Sequence, residues 1–184
     1  MITERQPPVQ VVVAYDFSPS AELALGRAVE IAARAPQHVL HIVTALDSTS
    51  YDTAADMQRR IAERAADAFT GRSTAAEVQF YVHARIGKPA DEILGLAREV
   101  GADLIVIGSH GRTGVERILL GAVSERVVRE AGCPVMVARA KTYSDVQLLR
   151  VTPYPHGQPH YVAPHRYAYA DNRAQLRPTH WPLP

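Results

Sequence analysis

Short apolar segments alternate along this chain with longer segments of helical period, and this alternation constrains the fold more than any other feature. The apolar segments are nearly continuous and rich in β-branched residues, which is typical of strands that a parallel sheet buries on both faces. We predict strands over residues 9–15, 38–45, 77–84, 103–107 and 134–139. The predicted helices lie between them: one begins at Pro19, and the others cover residues 53–70, 89–100 and 121–131.

Helix signals agree with this order. Ser18 suits an N-cap and Pro19 the first helical position, while Gly101 ends the third helix. Strands joined through single helices need right-handed crossovers, which produce a parallel sheet with helices on both faces. The sequence therefore predicts an α/β fold, a doubly wound, five-stranded parallel sheet of Rossmann type. We expect the first strands in the order 2-1-3, or in the related order that results when the sheet is wound from the other side. Ligands of such sheets bind beyond the carboxyl ends of the strands, here next to the first and fourth strands.

The chain divides into three parts by composition. Residues 1–8 form an N-terminal extension, residues 9–141 contain every predicted strand and helix, and residues 142–184 form a tail rich in proline, histidine and tyrosine. Seven of the 13 prolines lie in this tail, so we expect it to be largely extended or disordered. Its histidines match no closed tetrahedral spacing, which favours adventitious metal binding over a dedicated site: His156, His160, His165 and His180.

Charge and cysteine content narrow the class of protein. A net charge of +1 leaves no dominant basic field, so nucleic acid and anionic membranes are not expected partners. The apolar runs are too short to span a bilayer, and residues 1–8 lack the apolar stretch of a signal peptide. Cys133 has no second cysteine to pair with. Together these features predict a soluble protein of the reducing cytoplasm.

Residues 108–122 contain the clearest binding motif, GSHGRTGVERILLGA. Gly108 and Gly111 allow a sharp backbone turn that exposes successive N–H groups, as phosphate-binding loops do. Gly121 stands at the start of the fourth predicted helix, where unpaired N–H groups and the helix dipole favour an anion. Arg112 adds a cation within the same loop. The motif therefore predicts a phosphate site after the fourth strand.

The spacing G-x2-G-x9-G in this motif resembles the nucleotide-binding signature of the ATP-binding universal stress proteins. Three further segments resemble the same family in the same order: VVVAYDFSPSAELAL, VLHIVTA and CPVMVAR. The resemblance covers residues 9–140 and leaves the tail outside it. It implies an adenine-nucleotide hydrolase-like fold, ATP with Mg²⁺ as the ligand, and a homodimer that pairs through the last strand. Pairing there would also cover an apolar run, PVMVA, that is otherwise an exposed sheet edge.

The resemblance also implies roles for individual residues. Asp16 would bind the ribose hydroxyls or help to hold a metal ion, and Ile42 would contact adenine through its backbone. The phosphate cradle would consist of three glycines, a backbone N–H group and a hydroxyl: Gly108, Gly111, Gly121, Val123 and Ser124.

At one position the chain departs from the family pattern. The residue after the last glycine is usually Ser or Thr, and here it is Ala122. The missing hydroxyl removes one phosphate hydrogen bond, worth roughly 1.5–3 kcal/mol when it is charge-assisted. That loss would weaken ATP binding by roughly ten- to a hundredfold, although the backbone N–H group of Ala122 is retained.

Several of these residues also have simpler explanations. Asp16 could cap the first helix, alone or in addition to a ligand role. His110 has no carboxylate or serine that the sequence places to orient it, so we expect a surface imidazole rather than a catalytic one. His41 and His83 alternate within strands, and we expect both to be structural and hydrogen-bonded. Cys133 is expected to be a buried small hydrophobe.

Three functions are compatible with these observations. We favour a regulatory stress-response module that binds ATP with slow or absent hydrolysis and acts on an unidentified protein partner. A nucleotide-independent stress protein that acts through protein contacts is the alternative, and Ala122 supports it. An adenine-nucleotide hydrolase is the third, but the segment AYDFSPS after the first strand lacks the glycine of such enzymes. We therefore expect at most a weak ATPase.

Overall fold

The computed structural model describes residues 8–34, 37–47, 53–70, 78–110, 120–140, 166–170 and 173–177. The chain divides into two compact units, Met1–Ala140 and Lys141–Pro184. Gly111 and Arg112, two of the predicted phosphate-site residues, lie outside the described residues.

Five strands and four helices alternate in the first unit, as the sequence predicts. In chain order they are β1 (Val9–Ala14), α1 (Pro19–Ala32), β2 (His38–Leu46), α2 (Ala54–Phe69), β3 (Gln79–Ile86), α3 (Pro89–Val100), β4 (Leu104–Gly108), α4 (Ala122–Glu130) and β5 (Val135–Ala138). The predicted boundaries differ from the observed ones by one or two residues, which is the usual uncertainty at the ends of an element.

The five strands form one parallel sheet in the order β3-β2-β1-β4-β5. The expected order 2-1-3 is therefore wrong, because β1 lies between β2 and β4 and β3 is the outer neighbour of β2. From β3 the chain returns through α3 to the other side of β1, and this reverses the winding of the sheet. The two strands beside which we expect the ligand crevice, β1 and β4, are hydrogen-bonded neighbours in this sheet.

Each face of the sheet carries its own apolar core. On one face α1 and α2 pack on alternate residues of the central strands, including Val11, Val13 and Leu40, which are fully buried. On the other face α3 and α4 pack on the residues in between, such as Val12 and Ile105. The near-continuous apolar runs of β1 and β4 are explained by this burial on both sides.

The helix ends follow the predicted signals. Ser18 Oγ accepts a hydrogen bond from the Ala21 N–H group at 3.2 Å, and Thr53 caps α2 in the same way. In contrast, α3 begins after Lys88 without a side-chain cap, and it ends at Gly101, whose φ of 63° lies in the left-handed region that favours glycine.

The helical period determines which residues of α1 and α2 are buried. Val29 rather than Ile31 is buried on α1, because residue 29 lies one turn beyond Leu25 and continues its stripe. Ala54, at the start of α2, is exposed. None of the helices in the described segments combines the length and apolar character that crossing a bilayer requires.

The second unit contains an antiparallel pair of strands, β6 (Arg166–Ala170) and β7 (Arg173–Arg177). The expectation of an extended or disordered tail is wrong for these ten residues. The signal was present in the sequence: alternating Tyr and Ala in RYAYA, followed by the turn-favouring pair Asp-Asn and a second short segment. The four tail histidines lie outside the described residues, so the expectation about metal binding stays a prediction.

Candidate functional site

The carboxyl ends of β1 and β4 lie side by side, and each strand leads toward the N-terminus of a helix. The two strands pair as far as Val13 and Val106. Asp16 follows β1 and precedes α1, whereas Gly108 ends β4 ahead of the segment that leads to α4. Because the winding of the sheet reverses between these strands, ligands of doubly wound folds bind in the crevice at this edge.

Asp16 contributes to the start of α1. Its Oδ1 accepts a hydrogen bond from the Ser18 N–H group at 3.0 Å, and Ser18 is in turn the N-cap of α1. The simpler explanation of Asp16, a role at the first helix, is therefore present in the structure. A carboxylate can accept several hydrogen bonds, so this contact is compatible with a ligand role, which stays a prediction.

Phe17, the residue after Asp16, has a φ of 63°, a conformation that a bulky residue adopts only at a cost. Its ring packs edge-on against Tyr15 with centroids 4.8 Å apart, and the Arg60 guanidinium lies 4.8 Å from the ring centre. Burial and a hydrogen bond to Glu22 raise the pKa of Tyr15, which therefore stays neutral. The sequence did not reveal the contact between Phe17 and Arg60, because Arg60 lies on a separate element, the helix α2.

Gly108 is buried, and the reason for a glycine here is the approach of α1. A Cβ at this position would lie 2.6 Å from Ser20 Oγ and 2.7 Å from the Ser20 carbonyl carbon. Real side chains do not approach backbone atoms this closely, so any larger residue would displace the first turn of α1. The sequence assigned Gly108 to a phosphate cradle, whereas the observed requirement is close packing between β4 and α1.

Gly121 is the N-cap of α4, with an ordinary extended backbone (φ −72°, ψ 156°) and no side chain to close the helix end. Its own N–H group donates to the Ser109 carbonyl at 2.8 Å, and its carbonyl accepts from the Glu125 N–H group at 2.9 Å. The next N–H groups belong to Ala122, Val123 and Ser124, which have no carbonyl one turn earlier in the helix to bond with. These three groups form the open end of α4.

The Ser124 side chain is buried and joins α4 to β4. Its hydroxyl donates to the Gly108 carbonyl at 2.7 Å, so in this arrangement its proton is not directed at a ligand. Ala122 is exposed beside it. The open end of α4 therefore presents backbone N–H groups, and the hydroxyl contact predicted for Ser124 stays a prediction.

Ile42 lies inside the sheet rather than at its edge. Ile42 is fully buried, and its backbone is flanked by Val13 of β1 and Val82 of β3. The structure therefore brings no exposed part of Ile42 to the carboxyl edge of the sheet. The predicted contact with adenine stays a prediction.

The three histidines interpreted from the sequence, His41, His83 and His110, all have hydrogen-bonding partners. Ser109 Oγ lies 3.0 Å from His110 Nδ1, so the expectation that no serine orients this ring is wrong; the partner is the preceding residue. His41 Nδ1 lies 3.1 Å from His83 Nε2, and its Nε2 lies 2.8 Å from Gln10 Oε1. The expectation that His41 and His83 are structural is confirmed. Burial and the neighbouring His83 lower the pKa of His41 to about 4.

In the described part of the chain, neither a cluster of metal ligands nor a fully buried thiol is present. Within it, no three His, Cys, Asp or Glu side chains come together as metal ligands. Cys133 is only partly buried, although it packs against the core that α3 and α4 cover. Burial raises the pKa of its thiol, which keeps it protonated and weakly reactive.

The profile of the universal stress protein family matches residues 10–139. A putative universal stress protein of Staphylococcus aureus (strain USA300) is 34% identical over 140 residues, covering 71% of this chain and 84% of that protein. A universal stress protein of Methanocaldococcus jannaschii is 57% identical over 53 residues, a match that spans 29% of this chain and 31% of that protein's length.

Solved structures agree with these matches. The universal stress protein UspA from Lactobacillus plantarum has a TM-score of 0.55 and 28% identity, over 73% of this chain and 99% of that one. A universal stress protein in complex with cAMP has a TM-score of 0.56 and 30% identity, over 73% of this chain and 98% of that one. The five-stranded fold, the family profile and these relatives agree, and the chain belongs to the universal stress protein family.

Proposed function

We propose that this universal stress protein binds an adenine nucleotide, ATP with Mg²⁺, where the carboxyl ends of β1 and β4 meet, and that binding regulates a partner protein. The observation that carries the proposal is the open end of α4. Among the residues that the structure describes, no side chain caps its first N–H groups, and the helix dipole adds positive potential at the same place. An anionic phosphate is the ligand that such a helix end favours.

The charges around α4 are compatible with an anion. The acidic residue in its first turn, Glu125, has a carboxylate 3.6 Å from the Arg129 guanidinium, which offsets part of its repulsion. Asp16 would accept hydrogen bonds from the ribose hydroxyls, as the family resemblance implies. Gly111 and Arg112, from the loop that precedes α4, would complete the phosphate site.

The solved relative in complex with cAMP supports an adenine nucleotide as the class of ligand. ATP is the finer proposal, and it comes from the resemblance of the G-x2-G-x9-G motif to ATP-binding members of the family. We expect binding without rapid hydrolysis, because backbone N–H groups and a carboxylate hold a nucleotide but do not by themselves position and activate a water molecule.

Pairing of two copies through β5 belongs to the same proposal. β5 is an edge strand of the five-stranded sheet, and the Met136 side chain on it is 39% exposed. An apolar edge of this kind invites pairing with another strand. We propose a homodimer in the cytoplasm, with no nucleic-acid or membrane partner.

The test is a calorimetric titration of nucleotide-stripped protein with Mg²⁺-ATP, beside the variant Gly121→Asp. Wild-type protein should bind close to one ATP per chain. At a hundred times the dissociation constant, binding should add about 2.7 kcal/mol of stability, visible as a melting shift. Asp at position 121 caps α4 and repels phosphate, so affinity should fall at least about tenfold while stability is kept.

Lys88→Asp is the matched control, because Lys88 is also an N-cap without a side-chain hydrogen bond. It should stabilise α3 by about 1 kcal/mol and leave ATP affinity unchanged. If wild-type protein shows neither heat nor a melting shift at millimolar ATP, the nucleotide proposal fails. The nucleotide-independent alternative, in which the protein acts through protein contacts alone, would then stand.

A further inference from the structure

Ser20, in the first turn of α1, contacts the β4 exit, which we define as residues 108–110. Its hydroxyl donates a hydrogen bond to the His110 carbonyl, although the two residues are 90 positions apart in the chain. The Ser20 backbone also packs directly against Gly108, at a distance that leaves no room for a Cβ. Both contacts link the segment after β1 to the segment after β4.

Other contacts hold the earlier part of the β4 exit. The Gly108 carbonyl accepts from the Ser124 hydroxyl at 2.7 Å, and the Ser109 N–H group donates to the Ala138 carbonyl at 3.1 Å. The Gly121 N–H group bonds the Ser109 carbonyl at 2.8 Å. These bonds fix Gly108 and Ser109, whereas the Ser20 bond reaches one residue further, to His110.

Ser18 and Ser20 have different partners although their hydroxyls lie 3.3 Å apart. Ser18 accepts from the Ala21 N–H group and closes α1, so its main contact is within its own helix. The Ser20 proton goes to another segment of the chain. Helix capping therefore does not explain Ser20.

We propose that Ser20 is a positioning residue for the nucleotide site: its hydroxyl fixes the carbonyl of His110 and so sets the direction in which the chain leaves β4 toward the phosphate-binding segment. The inference rests on the proposed function for its effect on a ligand. Because Asp16 lies on the same β1–α1 connection, the Ser20 bond ties the ribose side of the proposed site to its phosphate side. Gly108 permits this by letting α1 approach.

The first test titrates Mg²⁺-ATP into wild-type protein and three variants, Ser20→Ala, Ser20→Thr and Ser20→Val. Thr and Val have nearly the same shape, so the difference between them isolates the hydroxyl. Losing one hydrogen bond should weaken affinity about three- to tenfold in the Ala and Val variants, while Thr stays within about twofold of wild type. Thr53→Ala removes a cap from α2 and should lower the melting temperature without changing affinity.

A second measurement needs no nucleotide, so it separates this inference from the proposed function. Amide hydrogen exchange of Ser109 and Gly121, both hydrogen-bonded at the β4 exit, should be faster in the Ala and Val variants than in wild type and Thr. If wild-type protein binds no ATP, the proposed function fails and exchange alone decides whether Ser20 orders the exit. Unchanged exchange in Ser20→Ala, or equal exchange in the Thr and Val variants, would overturn the inference. Where wild-type protein binds ATP, equal affinities of the Thr and Val variants would overturn it as well.

Discussion

The N-termini of α1 and α4 lie at the same edge of the sheet but are completed in different ways. At α1, the Ser18 hydroxyl accepts from a first-turn N–H group, and Pro19 has no N–H group to satisfy. At α4, Gly121 has no side chain to offer, and its own N–H group is already bonded to Ser109. Within the described residues, the N-terminus of α1 is capped by its own Ser18 and the N-terminus of α4 has no capping side chain, which is why the proposed anion site is placed at α4 rather than at α1.

The largest expected effect comes from a substitution at Gly108, where both α1 and α4 contact β4. Gly108→Val should destabilise the protein by about 3 kcal/mol or more, because its side chain would overlap the Ser20 backbone. Urea unfolding measures the change. Gly26→Ala, on α1 where an added Cβ meets nothing within 4 Å, should instead stabilise by about 0.5–1 kcal/mol. A Gly108→Val protein of wild-type stability would show that α1 does not need this close approach.

A smaller effect is expected from a hydroxyl added at the start of α4. Ala122→Ser adds a hydroxyl at the first position of α4 and should tighten ATP binding about tenfold by calorimetry. Ala54→Ser changes the same position of α2, whose end Thr53 already closes, and should leave affinity unchanged. Equal affinities for wild type and Ala122→Ser would mean that the phosphates do not reach the start of α4.

The smallest effect concerns the closed end. Ser18→Ala should cost about 1 kcal/mol of unfolding free energy, because one first-turn N–H group of α1 loses its acceptor. Ser18→Gly should cost only a few tenths of a kcal/mol, since glycine is a tolerable N-cap. Denaturant unfolding distinguishes the two. A loss of ATP affinity larger than the loss of stability would contradict the division between a closed and an open end.

The sequence predicted the elements of this fold because their signals are local. The period of apolar residues located the strands and helices, and Ser18, Pro19 and Gly101 marked helix ends that the structure confirms. Strand order was not predictable in the same way, since the side on which α3 returns depends on how the whole sheet packs. The strands β6 and β7 were missed because the many prolines nearby outweighed a weak alternating pattern in the sequence.

For the candidate site, the sequence predicted an edge of the sheet but not the contacts that the structure shows there. The hydrogen bond from Ser20 to His110 joins residues 90 positions apart, so no local sequence pattern predicts it. Likewise, Gly108 matches a glycine motif, yet the structural reason for a glycine there is the backbone of another helix. Motif spacing therefore predicts where a site would lie, whereas the contacts of its residues are set by tertiary packing.

The histidine pair on β2 and β3 has a consequence for the response of this fold to acid. His41 is buried against Gln10, Tyr81 and His83, and its pKa falls from an ordinary 6.5 to about 4. Below pH 6.5 the unfolded chain binds a proton at this residue, whereas the folded chain does not bind it until the pH falls to about 4. The free energy of unfolding should therefore decline across that interval. In thermodynamic terms, the proton acts as a ligand that binds the unfolded state more tightly than the folded state.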